Sequence, residues 1–572
     1  MSTLTTTPAG QLDAAAKPQA EHATPVAQAW RLLKPDLNDI GMVVLFALVV
    51  GLLAMATPLA VEALVNTVAF GRVLQPVVVL SGFLFAFLGF QAAIRLVQVY
   101  VVEMIQRRIF ARAAADLVHR LPRIEHQSLD TVDLPQLVNQ FLDVAGVQKT
   151  AATLLLEGSR ITLSALVGMT VLAFYHPWLL GFDLILIASL TLVLTVAGLG
   201  ATKTAVKESK AKYRSQGWFE QMAVAPQTFR STHGFSLALE RANGLVGEYL
   251  RYRSKHFRIL IRQNAFALLL QAVASTVLLG IGGWLVITNR LTLGQLVAAE
   301  LIVTIIVTSV AKLGKLLESY YDLLAASDKV GGLTELPEAR VGTAELSSEP
   351  LAVRLTEVGY SYGERAATLS GVSLEVQPGE AIALYGRSGS GKSTLCDVLA
   401  GLRPATVGEV SIDGLDPAEI SPFTLRDRVA LGREGELFDG TIRENVAVGN
   451  PLVGVRETWD ALRTVHLDHE IRCLPETLLD TISPMRCALS SGQVKRLMLA
   501  RAIASDPGLL IVDSLLDPFP TDEAGELLLS LRALPCTLVV ATSRPEIAEM
   551  LPSQINLESC CGVANRIRAE LN

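Results

Sequence analysis

The chain has 572 residues and a net charge of −6, too long for a single compact core and too weakly charged to name a partner. Its Lys and Arg residues are scattered, which leaves no basic stripe of the kind that binds nucleic acid. All six cysteines (Cys396, Cys473, Cys487, Cys536, Cys560 and Cys561) fall in the second half, without paired metal-ligand spacing, which fits a reducing compartment better than a disulfide framework.

In chain order, the first forty residues are rich in Ala, Thr, Pro and Gln and show no apolar core behind a basic start. They read as a disordered cytosolic tail over 1–38 rather than a cleaved signal peptide, and the tail is too short for a fused peptidase. A membrane domain is expected over 39–325. Its apolar runs at 40–66, 74–100, 152–174, 178–200, 263–288 and 293–311 are each long enough to cross about 30 Å of hydrocarbon. Tight turns join the first and second runs, the third and fourth, and the fifth and sixth; 101–151 and 201–262 are long and polar.

The stretch 104–151 holds six Lys and Arg residues and 201–262 holds twelve, whereas the tight turns hold only Arg72 and Arg290. The positive-inside rule therefore places the long loops and both termini in the cytosol. Few Gly or Pro interrupt those loops, so the spanning helices are expected to continue beyond the bilayer. Arg95, Asp183 and Glu300 lie within spans and are candidates for a substrate path, because charge in hydrocarbon is costly unless it meets a wet cavity or a partner. Snorkelling from a span end is the simpler reading of Arg95 and Asp183, and Glu157 and Arg160 invite it too; Glu300 lies deeper.

A Gly- and Pro-punctuated stretch at 326–350 reads as a linker, and 351–572 as an α/β domain of alternating strands, helices and Gly-rich turns. Within it, Gly386-Arg387-Ser388-Gly389-Ser390-Gly391-Lys392-Ser393 follows the strand-like run Ala381–Tyr385 and matches a P-loop. Its glycines let backbone N–H groups wrap phosphate, Lys392 can reach the β and γ phosphates, and Ser393 can ligate Mg²⁺ at the start of a helix that also carries Thr394. Leu509–Asp513 is an apolar strand ending in a carboxylate, the arrangement that holds Mg²⁺ opposite a P-loop. Leu489-Ser490-Ser491-Gly492-Gln493 then opens a helical run at 494–504.

This order of motifs resembles the ABC ATPase family, and with six spans ahead of it the whole chain is similar to a half-transporter of the multidrug, lipid and peptide exporter group. The resemblance implies a six-helix α-helical membrane domain with cytosolic extensions, fused to an α/β P-loop ATPase domain that binds ATP and Mg²⁺. It also implies that Ser490, Ser491, Gly492 and Gln493 serve the γ-phosphate held by an opposite subunit, and that Tyr362 stacks on adenine. Leu437-Phe438-Asp439-Gly440-Thr441-Ile442-Arg443-Glu444-Asn445 is similar to a further exporter segment, and coupling helices are implied near 126–134 and 217–230. A bacterial inner membrane is the implied location.

Four motifs depart from the family. Ser514 stands where a Glu activates water, and a hydroxyl is a poor proton acceptor, so assistance worth about 10²- to 10⁴-fold should be missing. Ser543 stands in place of the switch His. Arg433 replaces a Gln that contacts Mg²⁺, and an Arg cannot ligate a cation. Asp517-Pro518-Phe519-Pro520 replaces the loop after the catalytic Glu, with two prolines that fix φ and remove donors. Binding residues kept, hydrolytic residues lost and a signature retained resemble the degenerate subunit of a heterodimeric exporter with an unlike second half-transporter. A slow homodimer and an ATP-binding, non-pumping regulator or channel-like protein remain as alternatives, and the exported substrate is not legible.

Overall fold

The computed structural model describes residues 24–557 except 71–74, 131–133, 196–198, 335–336, 339–341, 348–349, 364–366, 436 and 485–487. Arg72, Cys487, Cys560, Cys561 and most of the expected tail lie outside the described residues. The chain forms two compact units: Met1–Pro122 with Val132–Leu336, and Arg123–Thr131 with Pro337–Asn572.

The first unit is helical. Among its described residues four helices are long and apolar enough to cross a membrane, and two shorter apolar helices, Pro177–Ser189 and Leu293–Ile306, fall in the fourth and sixth expected spans. The first span is two helices, Leu37–Ala54 and Ala56–Phe70, meeting at Met55. Pro58 accounts for the break, because it lacks an N–H and its ring collides with the carbonyl of Ala54. Gln91 and Gln98 of the second span donate to the carbonyls of Val50 (3.1 Å) and Val43 (3.0 Å). Two polar side chains facing hydrocarbon-length helices are thereby satisfied.

Helices Gln75–Arg120 and Thr232–Ile287 run for 46 and 56 residues. At about 1.5 Å per residue the longer one exceeds 80 Å, far more than a bilayer core needs. The expected extensions of the spans are therefore present. A π-helical turn, Leu154–Gly158, opens the third span, and its Glu157 lies 3.9 Å from Lys315.

Two stretches differ from the sequence reading. Residues 25–36, expected within the disordered tail 1–38, are helical: Pro25–Leu33 starts on a Thr24 cap, and Asp36 is buried against Arg108 and Arg112 of the helix that continues from the second span. Pro at the first helical position and a Thr cap were local signals for this start. The sixth-span helix continues to Thr334, into the stretch expected as linker from 326. Gly331 does not break it; a side chain there would meet the buried Gln28 amide at 2.3 Å, so glycine serves the close packing of the N-terminal helix.

The second unit is α/β, with ten strands among its described residues: β1 Val353–Tyr360, β2 Leu369–Val376, β3 Ala381–Tyr385, β4 Val407–Ile412, β5 Val429–Gly432, β6 Gly440–Thr441, β7 Thr481–Ile482, β8 Leu509–Asp513, β9 Thr537–Thr542 and β10 Ser553–Asn556. A parallel sheet in the order β10-β3-β9-β8-β5 forms the centre, and an antiparallel sheet β2-β1-β4 stands apart from it. β3, β8 and β9 are continuous apolar runs, as strands covered on both faces must be. Their carboxyl ends carry the P-loop, Asp513 and Ser543, the place where open α/β sheets bind ligands.

Candidate functional site

The P-loop runs from β3 into the helix Lys392–Leu399. Gly389 and Gly391 adopt φ of +85° and +91°, and a side chain at Gly391 would come within 2.7 Å of the Leu369 methyl and 3.1 Å of the Thr368 carbonyl. Only glycine fits there. Lys392 is 7% exposed, and its ammonium donates to the carbonyls of Gly386 (2.6 Å) and Arg387 (2.9 Å), so the loop closes around its own lysine. The buried Ser390 hydroxyl has no hydrogen-bond partner.

An ammonium held only by neutral carbonyls, an orphan hydroxyl and the positive end of a helix together suit a phosphate. Arg387 and Ser388 are exposed at the rim. Tyr362, the expected adenine platform, is half-buried; its hydroxyl lies 3.1 Å from that of Thr394, and its ring packs edge-on against Tyr360 and under the Arg403 guanidinium.

The two expected Mg²⁺ donors do meet. Ser393 Oγ donates to Asp513 Oδ1 at 3.0 Å. The Ser514 hydroxyl also donates to that oxygen, at 3.3 Å. The second oxygen, Oδ2, accepts from Arg433 Nε at 3.1 Å, with Arg433 Nη2 at 3.0 Å. Arg433 Nη2 also donates to Asp397 Oδ1 at 2.7 Å, so the guanidinium is clamped between two buried carboxylates. Burial works against the Arg433 charge, and Asp397 and Asp513 more than offset it, which pushes its pKa up. Mg²⁺ needs near-octahedral oxygen donors, and here the carboxylate that would face it is already neutralised by a cation. The donor set as arranged does not fit Mg²⁺.

The other altered motifs are locked together. Ser514 sits at φ +57°, its N–H bound to the Ala541 carbonyl at 3.0 Å. Asp517 accepts from the Ser543 N–H (3.0 Å), the Ser543 hydroxyl (2.7 Å) and the Thr542 hydroxyl, while Arg544 holds the carbonyls of Asp517 (3.3 Å) and Phe519 (2.5 Å). Neither Ser514 nor Ser543 offers a proton acceptor of useful strength near neutral pH.

Sequence reading missed the residues that extend this site. Asp397 lies one helical turn after Ser393 and also accepts from Arg403 Nε at 2.9 Å; Arg403 in turn makes a two-pronged pair with Asp130 at 2.7 and 2.8 Å. Asp130 belongs to the segment Arg123–Thr131, which contains the short helix His126–Leu129 and packs as part of the second unit. There the Glu125 N–H reaches the Pro337 carbonyl at 2.9 Å, Arg123 stacks over Phe423, and His126 lies 4.0 Å from Asp397. Burial, first, lowers the His126 pKa, with Asp397 opposing. A carboxylate on the inner face of the P-loop helix was the legible signal; its partners were not.

Ser490 caps the helix Ser491–Ala504, accepting from the Gln493 N–H (3.3 Å) while its own N–H donates to Gln493 Oε1 (2.8 Å). This reciprocal capping box leaves Ser490 and Ser491 exposed at the positive end of a 14-residue helix. In the membrane unit Arg95 is exposed, while Asp183 is only 2% exposed and neither of its carboxylate oxygens has a partner. Asp183 therefore does not snorkel. Its neighbours Phe182 and Leu186 share an apolar cluster with Ala299, Ile302 and Val303, which flank Glu300, whose Oε2 is also buried and unpartnered.

Fold and site define a P-loop ATPase joined in one chain to a multi-pass helical membrane domain. The family model of the ABC transporter transmembrane region matches residues 40–310, and that of the ABC transporter matches 369–516. The chain belongs to the ABC transporter family, in the arrangement with fused transmembrane and ATP-binding domains.

It is 26% identical over 518 residues, 85% of this chain and 63% of the relative, to the ABC multidrug transporter mdr2 of Aspergillus fumigatus. It is 27% identical over 320 residues to the mycobactin import ATP-binding/permease protein IrtB of Mycolicibacterium thermoresistibile, over 55% of this chain and 53% of the relative. The chain spans about half the length of the first curated relatives it matches. A solved bacterial Atm1-family ABC exporter with ATP bound shares the fold, with a TM-score of 0.77 at 18% identity over 90% of this chain and 91% of that one.

Proposed function

We propose that this chain is one half of an ATP-driven ABC exporter, with a membrane domain over 39–325 and an ATP-binding domain over 351–572, which holds ATP at a hydrolytically impaired site and lends its signature motif to an unlike partner. The observation that carries this reading is the contrast between two parts of one domain. Around Asp513 the acidic base is replaced by a serine whose hydroxyl is spent on Asp513, and a guanidinium takes the other carboxylate oxygen. The capped signature helix, by contrast, keeps its exposed Ser490 and its reciprocal Gln493 bond.

In a head-to-tail dimer the partner's P-loop and glutamate would face Ser490–Gln493 and fire, while Tyr362, Gly386–Lys392 and Thr394 hold ATP as a slow clamp. Asp183 and Glu300 are the side chains offered to the substrate path, because each is a buried carboxylate oxygen without a partner in an apolar setting. Export is favoured by the name of the solved exporter whose fold this chain shares, and a bacterial inner membrane is the proposed location. One relative of similar arrangement is named for import, so direction is measured together with turnover.

The test is ATPase activity of the full chain in lipid, alone and with candidate half-transporters. Gly492→Asp is a suitable probe because a side chain at Gly492 meets only Phe519, at an ordinary 3.6 Å. A chain inactive alone, with partner-dependent hydrolysis that Gly492→Asp abolishes, is expected. Robust hydrolysis by the chain alone would replace this reading with a slow homodimer, and silence with every partner would replace it with a regulator.

A further inference from the structure

Resting on the reading that ATP occupies the P-loop, we infer that Arg433 serves as a built-in cation in place of Mg²⁺, so that this site binds nucleotide without a divalent metal. Three observations converge on it. First, Arg433 Nε and Nη2 lie 3.1 and 3.0 Å from Asp513 Oδ2, one of the two oxygens of the expected metal donor. A dication brought to Asp513 would have to displace the guanidinium or sit beside it, and like charges at that separation repel strongly in a buried site.

Second, the guanidinium is fixed rather than wandering. Asp397 Oδ1 accepts from Arg433 Nη2 at 2.7 Å, and Asp397 is itself held by Arg403 Nε at 2.9 Å and buried. Side chains whose positions are set by a second layer of ion pairs hold their geometry when a ligand arrives. Third, Asp513 is satisfied without a metal: Ser393 and Ser514 hydroxyls donate to Oδ1 and Arg433 to Oδ2. Both oxygens of the expected metal donor therefore have partners, and the one nearest Arg433 already faces a cation.

Chemically, a triphosphate needs positive charge, and a divalent ion is only one way to supply it. Lys392 and the backbone N–H groups of the P-loop meet phosphate directly. Arg433 neutralises Asp513, which removes the carboxylate's repulsion of the phosphate chain. Among the described residues, Arg433 Nη1 makes no hydrogen bond, so two N–H donors of the fork remain for a phosphate oxygen. A guanidinium supplies charge but cannot activate water as a metal site does, which suits a site that clamps nucleotide and does not turn it over.

The test is equilibrium binding of labelled ATP to the full chain in lipid nanodiscs, with excess Mg²⁺ or with excess EDTA. The wild-type Kd is expected to change by less than about threefold between the two conditions, and that of Arg433→Gln to weaken by about tenfold or more in EDTA. The wild-type comparison needs no variant, so it can overturn the inference even if Arg433→Gln folds poorly, and Arg433→Lys, which keeps a positive charge and should keep metal indifference, serves as the second variant. Weakening of wild-type binding by about tenfold in EDTA would overturn the inference. So would a metal-indifferent wild type whose indifference survives in Arg433→Gln, because the cation would then be supplied elsewhere. Absence of saturable ATP binding in both conditions would remove the underlying reading that this P-loop holds ATP, a result distinct from binding that is tight but metal-dependent.

Discussion

Replacing Asp130 by Asn separates the role of the Arg123–Thr131 segment from that of the nucleotide site itself. Asp130 accepts from both terminal nitrogens of Arg403, at 2.7 and 2.8 Å, and the side chains are 36% and 5% exposed respectively. A charge-assisted pair of this geometry contributes about 1.5–3 kcal/mol when buried, and solvent screening at the Asp130 end reduces that to about 1–2 kcal/mol. Arg403 is not stranded by the change, since Asp397 (2.9 Å) and the Tyr360 hydroxyl (3.1 Å) still engage it. The loss should therefore loosen the segment without unfolding the domain.

Hydrogen exchange reports this directly, through the amides of Glu125 and Ser128, which bond to the carbonyls of Pro337 and Glu125. A loss of 1–2 kcal/mol predicts exchange about 5- to 30-fold faster in Asp130→Asn, with the P-loop strand unaffected. The Arg403 hydrogen bond holds the Asp130 carboxyl below its ordinary range. A depressed folded-state pKa contributes stability that is full above the unfolded value near 4 and is lost only as pH falls through the lower folded value. Protection of the segment in the wild type should thus be flat from about pH 7 to 8 and fall in acid, first as His126, whose pKa burial lowers, is forced to take up a proton and then as Asp130 does. Equal exchange in wild type and variant at neutral pH would refute the argument.

Three further outcomes follow from the geometry. Gly391→Ala combines positive φ with a 2.7 Å clash, and should weaken ATP binding at least about tenfold in the labelled-ATP assay while leaving the membrane unit intact. Ser514→Glu alone should recover little of the 10²- to 10⁴-fold general-base advantage, because Arg433 still occupies Asp513; the double variant with Arg433→Gln should recover more, and full recovery by the single change would show that Arg433 does not matter. Lys329 is buried over Tyr213 and 2.8 Å from Asp143, and burial, chiefly, lowers its pKa to about 8. The unfolded chain then holds this proton more tightly, so stability rises with pH between about 8 and 10. The thermal midpoint should climb across that window, and Lys329→Met should flatten the climb.

Much of this protein was legible in local order along the chain. The P-loop, the strand ending in Asp513, the capped Ser490–Gln493 turn and the apolar runs of the membrane domain each depend on residues within one element, and so did the replacements Ser514, Ser543 and Arg433. Extension of the spans into 46- and 56-residue helices was likewise written in the scarcity of Gly and Pro along the polar stretches that follow or precede them. The helix at Pro25–Leu33 and the continuation to Thr334 were less visible, because composition pointed to a tail and a linker while packing of Gln28 against Gly331 pointed the other way.

What only the tertiary structure decided is where the charges meet. Sequence showed an Arg in place of a Gln at 433 but not that it lies between Asp397 and Asp513, nor that Arg403, while holding Asp397, reaches Asp130 across 273 positions of chain. It placed Asp183 near a span end, where a side chain can reach water, and folding put both oxygens out of reach of any partner. Periodicity and motif spacing report what neighbours along the chain require of one another. Ion pairs and burial depend on which elements fold together, and that is set by packing.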